Sequence, residues 1–263
     1  MRATWLTDLH LNFVDEAGLK AFATAVMRER PDVIFVTGDT GEAVDVETFF
    51  DLIGLMAPTY GVLGNHDYYR STIAEVRGRA SKTTWWLPGR GPIRLTDATT
   101  LIGIDGWGDA RCGNLDSAVR LADWKLIGEL DRLLGCLPVQ RCATLQALGT
   151  AEAEALRGQL AELAAPRELI VLTHVPPFAD ACWYDGARSS PEWLPWFTCI
   201  AVGDALLEYA RAHPETQITV LCGHTHGRGE HRVAANLNVR TGGWAPHQKS
   251  YGNPIVQASW AVA

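Results

Sequence analysis

The sequence predicts an α/β chain in which short buried strands alternate with helices, and three observations carry that prediction. Apolar runs rich in β-branched residues recur along the chain, each too short for an independent helix and bounded by turn or polar residues. Between several of them lie segments with helical spacing and helix-forming residues, which favours a sheet covered by helices. The chain has 263 residues and 47% hydrophobic content, enough for one large core, so residues 1–263 read as a single domain.

In chain order, Ala3–Leu6 reads as the first strand and Asp15 to Arg30 as the first helix. Val33–Val36 is the second strand, followed by a helix over Val46 to Met56 and a third strand at Tyr60–Leu63. Leu101–Ile104 is the fourth strand, with a helix expected over Ser117 to Leu134 and another over Thr150 to Ala164. Leu169–Leu172 and Ile218–Leu221 complete the series of buried strands. From Glu230 the pattern changes to short alternating runs at His231–Ala235, Leu237–Arg240 and Ile255–Val262, broken by Gly and Pro. These read as antiparallel strands closing a second sheet.

The formal net charge is -7, and no segment clusters Lys and Arg as phosphate-backbone binding requires, which argues against dedicated nucleic-acid binding. The six cysteines are scattered without a C-x-x-C pair, so they read as reduced thiols. The opening MRATWLTDLHLNF carries acidic and imidazole groups where a signal peptide needs an apolar stretch. No run approaches a membrane span, so a cytoplasmic protein without membrane attachment is expected. Oligomeric state has no signature.

The residues just beyond the strands are more telling than the strands themselves. The chain reads TWL-TDLH, VIFV-TGD, YGVL-GNHD, LIVL-TH and ITVL-CGHTH, so five strands end in groups that bind cations or move protons. In open α/β sheets functional groups collect beyond the carboxyl ends of strands, where neighbouring loops converge. Five of the eight histidines, His10, His66, His174, His224 and His226, stand at such ends. Residues two apart in an extended segment project to one side, so Asp8 with His10, and His224 with His226, can face a common point. Gly64 and Gly223 precede these groups and permit close backbone approach. Asp, His and Asn without cysteine suit Mn, Fe or Zn, with Ni also compatible.

These blocks resemble the calcineurin-like metallophosphoesterases, whose motifs are D-x-H, G-D, G-N-H-[DE], a later His and G-H-x-H. All five stand in family order, as Asp8-Leu9-His10, Gly38-Asp39, Gly64-Asn65-His66-Asp67, Thr173-His174 and Gly223-His224-Thr225-His226. The resemblance spans residues 8–226. It implies a four-layer αββα sandwich, two mixed β-sheets flanked by helices, and two metal ions per chain sharing Asp39. Asp8, His10 and His226 would complete one ion's set, and Asn65, His174 and His224 the other's. It further implies His66 as proton donor to the leaving group, with Asp67 orienting its ring. The expected reaction is attack of a metal-bridging hydroxide on a small phosphodiester or phosphomonoester.

Around this site the sequence offers Trp107, Asp109 and Arg111 in GIDGWGDAR, Trp183, Tyr184, Trp193 and Trp196 after VPPF, and Arg188 and Arg228. Of these Trp107, Asp109, Arg111, Trp183 and Arg228 are the candidate substrate contacts. With ten tryptophans in the chain, the aromatic residues serve either as packing between helices or as a wall that stacks on substrate. His231 and His247 belong to no motif. V-P-P after His174 resembles the H-x-P-P step of cyclic-nucleotide phosphodiesterase-like members, which points to a small diester. A nuclease lacks its basic surface here, and a non-catalytic metal-binding scaffold of the same fold would not need His66 beside a full donor set.

Overall fold

A computed structural model describes residues 1–244 and 250–263; His247 lies outside them. Strands β1 (Arg2–Leu6), β2 (Val33–Thr37) and β3 (Thr59–Val62) alternate with helices α1 (Glu16–Arg28), α2 (Val46–Gly54) and α3 (Ile73–Ala80). Next come β4 (Ile93–Arg94), β5 (Thr99–Gly103), a short α4 (Asp123–Leu126), the long α5 (Pro138–Ala161) and β6 (Glu168–Leu172). A small ribbon of β7 (Trp183–Tyr184) and β8 (Ala187–Arg188) precedes α6 (Leu194–Phe197), α7 (Ile200–Ala212) and β9 (Gln217–Cys222). The chain closes with β10 (Gly229–Ala234), β11 (Leu237–Thr241) and β12 (Ala258–Ala261).

Two mixed sheets result, ordered β12-β1-β2-β3 and β10-β11-β9-β6-β5-β4. The period of two along a strand explains why they pack into four layers. In β2, Val33 and Phe35 join Ile170, Leu172 and Leu221 in the core between the sheets, while Ile34 and Val36 face the helix side with Phe22, Val26 and Phe50. In β6 the same alternation sends Leu169 and Val171 outward against Leu156 and Leu206. Each such side chain contributes roughly 1.5–3 kcal/mol of apolar burial, and both faces of each strand are used. The αββα expectation therefore holds.

Three local expectations fail for tertiary reasons. Ser117 to Leu134 is not one helix: only α4 and a 3-10 turn at Asp131–Gly135 form. Ile127 is extended because it bridges Ser71, and Gly128 N–H donates to the Ser71 carbonyl at 2.9 Å, so contacts with a distant segment override local propensity. The helix expected from Thr150 starts instead at Pro138, a residue whose fixed φ suits a first turn. In the tail, β11 runs parallel to β9 and β12 pairs antiparallel with β1 in the first sheet. After β9 the chain runs back along the edge as β10, and the hairpin to β11 restores the original direction. Among the described residues no helix is long and apolar enough to cross a membrane, and the six cysteines are free.

Candidate metal centre

Strands β1, β2 and β3 are mutually parallel, as are β5, β6 and β9, and both sets end at the same side of the molecule. Hydrogen bonds within the first set and across to the second hold these ends together. Asp8 N–H donates to the Gly38 carbonyl at 3.1 Å, and His224 N–H donates to Asp8 Oδ1 at 2.9 Å. Two glycines allow this closeness: a Cβ on Gly64 would stand 2.2 Å from Asp39 Oδ1, and one on Gly223 2.3 Å from Asp8 Oδ2.

All seven expected donors meet at this point. Side-chain atoms of Asp8, His10, Asp39 and His226 lie within 4.8 Å of one another. On the other side of Asp39, His174 Nε2 is 3.4 Å from Asp39 Oδ1 and 3.1 Å from Asn65 Oδ1. His224 Nδ1 stands 3.0 Å from the same Asn65 oxygen and 3.2 Å from His174 Nε2. Asp39 thus belongs to both groups, as a shared carboxylate must.

The donors fit a pair of cations. His10 has two ring nitrogens, and His224 and His226 one each at Nε2, that are buried without any hydrogen-bond partner, which is costly in a folded interior unless a ligand supplies the partner. His174 Nδ1 lies 2.8 Å from the Thr37 carbonyl; donating there fixes the tautomer and leaves Nε2 free to coordinate. Burial holds His10 and His224 well below the ordinary imidazole range and lowers His226 to about 3, so all three present neutral lone pairs. Asp8 is pushed up to about 7 by burial. For Asp39 burial works in the same direction, but His174 and His66 outweigh it and hold the carboxyl well below its usual value. Five donors, Asp8, His10, Asp39, His224 and His226, adopt left-handed backbone conformations with φ between 45° and 70°. Strained backbone of this kind, about 1 kcal/mol or more each, clusters where a site dictates geometry.

His66 and Asp67 occupy different surroundings from each other. His66 lines the cavity above the donors, its backbone N–H donating to Asp39 Oδ1 at 2.9 Å, and its ring lies 4.2 Å from Tyr69 and 4.6 Å from His10. Asp67 does not orient that ring. Its carboxylate accepts backbone N–H groups from Asp39 at 2.9 Å, Thr40 at 2.9 Å, Gly41 at 3.0 Å and Gly64 at 2.8 Å. Burial and the charge on Asp39 push its carboxyl up to about 7, while four N–H donors, which only an acceptor satisfies, favour the anion. Asp67 clamps the loop after β2 to the loop after β3.

The five candidate substrate contacts are engaged elsewhere, and none lines the cavity. Trp107 is buried against Tyr68 at 5.3 Å. Asp109 accepts from the Ala201 N–H at 2.9 Å and pairs with Arg111 at 2.9 Å, which also reaches Thr150 on α5 at 2.7 Å. Trp183 packs beneath Arg188 at 4.4 Å, Arg188 itself pairs with Asp180, and Arg228 donates to the Gln257 carbonyl. Packing absorbs Trp107 and Trp196 because large apolar surface is worth most when covered; Trp196 meets Trp124 at 5.2 Å, whereas Trp193 is exposed.

The cavity, about 130 Å³, is walled instead by Tyr69, Leu121, Ala122, Asp123, Phe197 and Tyr251. Asp123 Oδ1 accepts from Asn65 Nδ2 at 2.9 Å and from Tyr69 OH at 2.7 Å, which turns the Asn65 oxygen toward the histidines. Burial raises the Asp123 carboxyl. Phe197 lies 4.5 Å from His224, and Tyr251 lies 4.3 Å from His10 while stacking on Phe13 at 4.7 Å. None of the six belongs to a motif. Asp123 falls within the expected helix, where an acid reads as a solvated side chain.

A two-layer β core whose strand ends gather two carboxylates, one of them shared, with four imidazoles and an amide defines a metal-dependent phosphoesterase. The chain belongs to the calcineurin-like phosphoesterase family, whose sequence model matches residues 1–228. Its fold is similar to that of a phosphopantetheinyl hydrolase from Mycobacterium tuberculosis, with TM-score 0.69, 15% identity and coverage of 97% of this chain and 94% of that one. It is also similar to a dimetal phosphatase from Danio rerio, with TM-score 0.60, 14% identity and coverage of 98% and 91%. No curated protein matches the chain.

Proposed function

We propose that this chain hydrolyses a small phosphodiester, with Asp8, His10, Asp39 and His226 holding one metal ion and Asp39, Asn65, His174 and His224 holding a second. When bound, such ions polarise the phosphoryl group and acidify coordinated water near neutral pH. Asp39 supplies the shared negative charge that lets two cations sit close together. The Thr37 carbonyl and Asp123 set the His174 ring and the Asn65 amide in their coordinating orientations. His66, on the cavity wall, is placed to give a proton from its ring to the departing ester oxygen. Phe197 and Tyr251 limit water around the reacting ester.

The observation that carries this reading is the convergence of both donor sets on Asp39 beneath a cavity that His66 lines. The absence of Lys and Arg among the described lining residues favours a diester monoanion over a monoester dianion. The small cavity favours a small substrate over duplex nucleic acid. The similarity to phosphoester hydrolases in fold agrees but carries no substrate with it.

Protein loaded with Mn should hydrolyse bis-p-nitrophenyl phosphate faster than p-nitrophenyl phosphate. His66→Asn should keep both metal equivalents by elemental analysis and lose about 10²-fold or more in kcat on an alkyl diester with a poor leaving group. Hydrolysis of neither ester across Mn, Fe, Zn and Ni would point to a binding scaffold of the same fold. Undiminished turnover in His66→Asn would remove that residue from the reaction.

A further inference from the structure

We propose that Asp123 selects the substrate by receiving a protonated amine on a short ester arm, so that the site takes phosphoesters of amino alcohols. This rests on the phosphoesterase reading and adds to it a substrate class. The starting point is charge. Among the described residues no Lys or Arg lines the cavity, and once the metal-facing donors and His66 are set aside, the remaining wall is Tyr69, Leu121, Ala122, Asp123, Phe197 and Tyr251. Asp123 is the one acid on that wall. It is only 6% exposed, so it is no solvated surface carboxylate.

Its two oxygens differ. Oδ1 accepts from both Asn65 Nδ2 and Tyr69 OH, which fixes the side chain in place. Oδ2 accepts from nothing among the described residues, and the residue lines the cavity. An unpaired carboxylate oxygen in a largely buried wall calls for a donor, and the strongest donor is a charged one. The phosphate of a substrate cannot supply it, since like charges repel. The arm attached to that phosphate can. Asn65 sets the spacing: its Oδ1 faces His174 and His224 while its Nδ2 meets Asp123, so phosphate side and amine side are one amide group apart. An arm of two carbons spans such a gap. The aromatic faces of Tyr69, Phe197 and Tyr251 suit the methylenes and an ammonium group alike.

The test is binding and turnover by the full chain loaded with Mn. By isothermal titration calorimetry, O-phosphoethanolamine should bind about tenfold more tightly than propyl phosphate, its neutral counterpart of equal length, and than 2-hydroxyethyl phosphate. In Asp123→Asn that ratio should fall toward one. The ratio of kcat/KM for 2-aminoethyl against propyl p-nitrophenyl phosphate should follow the same course. Equal binding of the amine and propyl ligands by the wild type overturns the assignment, as does a preference that survives in Asp123→Asn. Equal binding of the hydroxyl and amine ligands overturns the choice of an amine. Should Asp123→Asn not fold, the wild-type order of the three ligands decides. An amine preference in binding with no hydrolysis of either ester leaves the Asp123 assignment standing and removes the phosphoesterase reading.

Discussion

His174 shows how strongly one side chain depends on its neighbours. Burial alone would lower its pKa, yet Asp39 at 3.4 Å outweighs burial and raises it from 6.5 to about 10. In metal-free protein the protonated ring therefore stabilises the fold fully below about pH 6.5, and that contribution is lost as pH rises through about 10. A cation takes the place of this proton. Metal binding between those limits should release about one proton from His174, with apparent affinity rising about tenfold per pH unit. Calorimetry at pH 8 in buffers of different ionisation enthalpy measures the proton directly; no buffer dependence would contradict the assignment. The identity of this histidine was legible because a strand end preceded it. Its tautomer was not, since the Thr37 carbonyl that sets it lies 137 residues away.

Among the elements, the loops after β2 and β3 behave as one unit because Asp67 binds the N–H groups of both. Asp67→Asn would turn an amide N–H toward backbone donors and leave at least one buried group unsatisfied, at about 1–3 kcal/mol. We expect a lower Tm together with loss of metal, read by thermal melts and elemental analysis; an unchanged Tm would mean that the clamp is dispensable. The strands were legible in the sequence because runs such as VIFV are apolar on both faces and end abruptly at polar groups. The segment after β5 was not. Helical spacing is present from Ser117 to Leu134, but Ile127 pairs with Ser71 and Asp123 turns to Asn65, and hydrogen bonds between distant segments carry no local periodicity.

The whole molecule is joined beneath the site by a buried polar network. Arg77 on α3 meets Asp105 beyond β5 at 3.0 Å and Glu152 on α5 at 2.5 Å. Its Nε donates to Tyr68 OH at 3.0 Å, and Tyr68 donates to Asp105 at 2.7 Å. Asp105 also accepts from the Leu63 N–H at 2.8 Å, at the end of the first sheet. Arg77→Met would leave two buried acids without a cation and should cost about 3 kcal/mol, the lower end of the range for broken buried pairs because Arg77 is partly exposed. Urea unfolding measures it. Adding Asp105→Asn and Glu152→Gln should recover part of the loss, and a neutral single variant would show that the network is not needed. Nothing in the spacing of Arg77, Asp105 and Glu152 announces this network, because its members come from three elements.

By itself the sequence determined the run of buried strands, the polar groups that end them and the family to which they belong, since periodicity and motif are properties of neighbouring residues. Tertiary structure decided what faces what. It moved Asp67 from a ring to four amides, seated Trp107 and Trp196 in packing, placed β12 beside β1, and built the cavity wall from Tyr69, Asp123, Phe197 and Tyr251. The physical reason is that a contact between segments distant along the chain is chosen by the free energy of the whole packed arrangement, which no stretch of residues encodes alone.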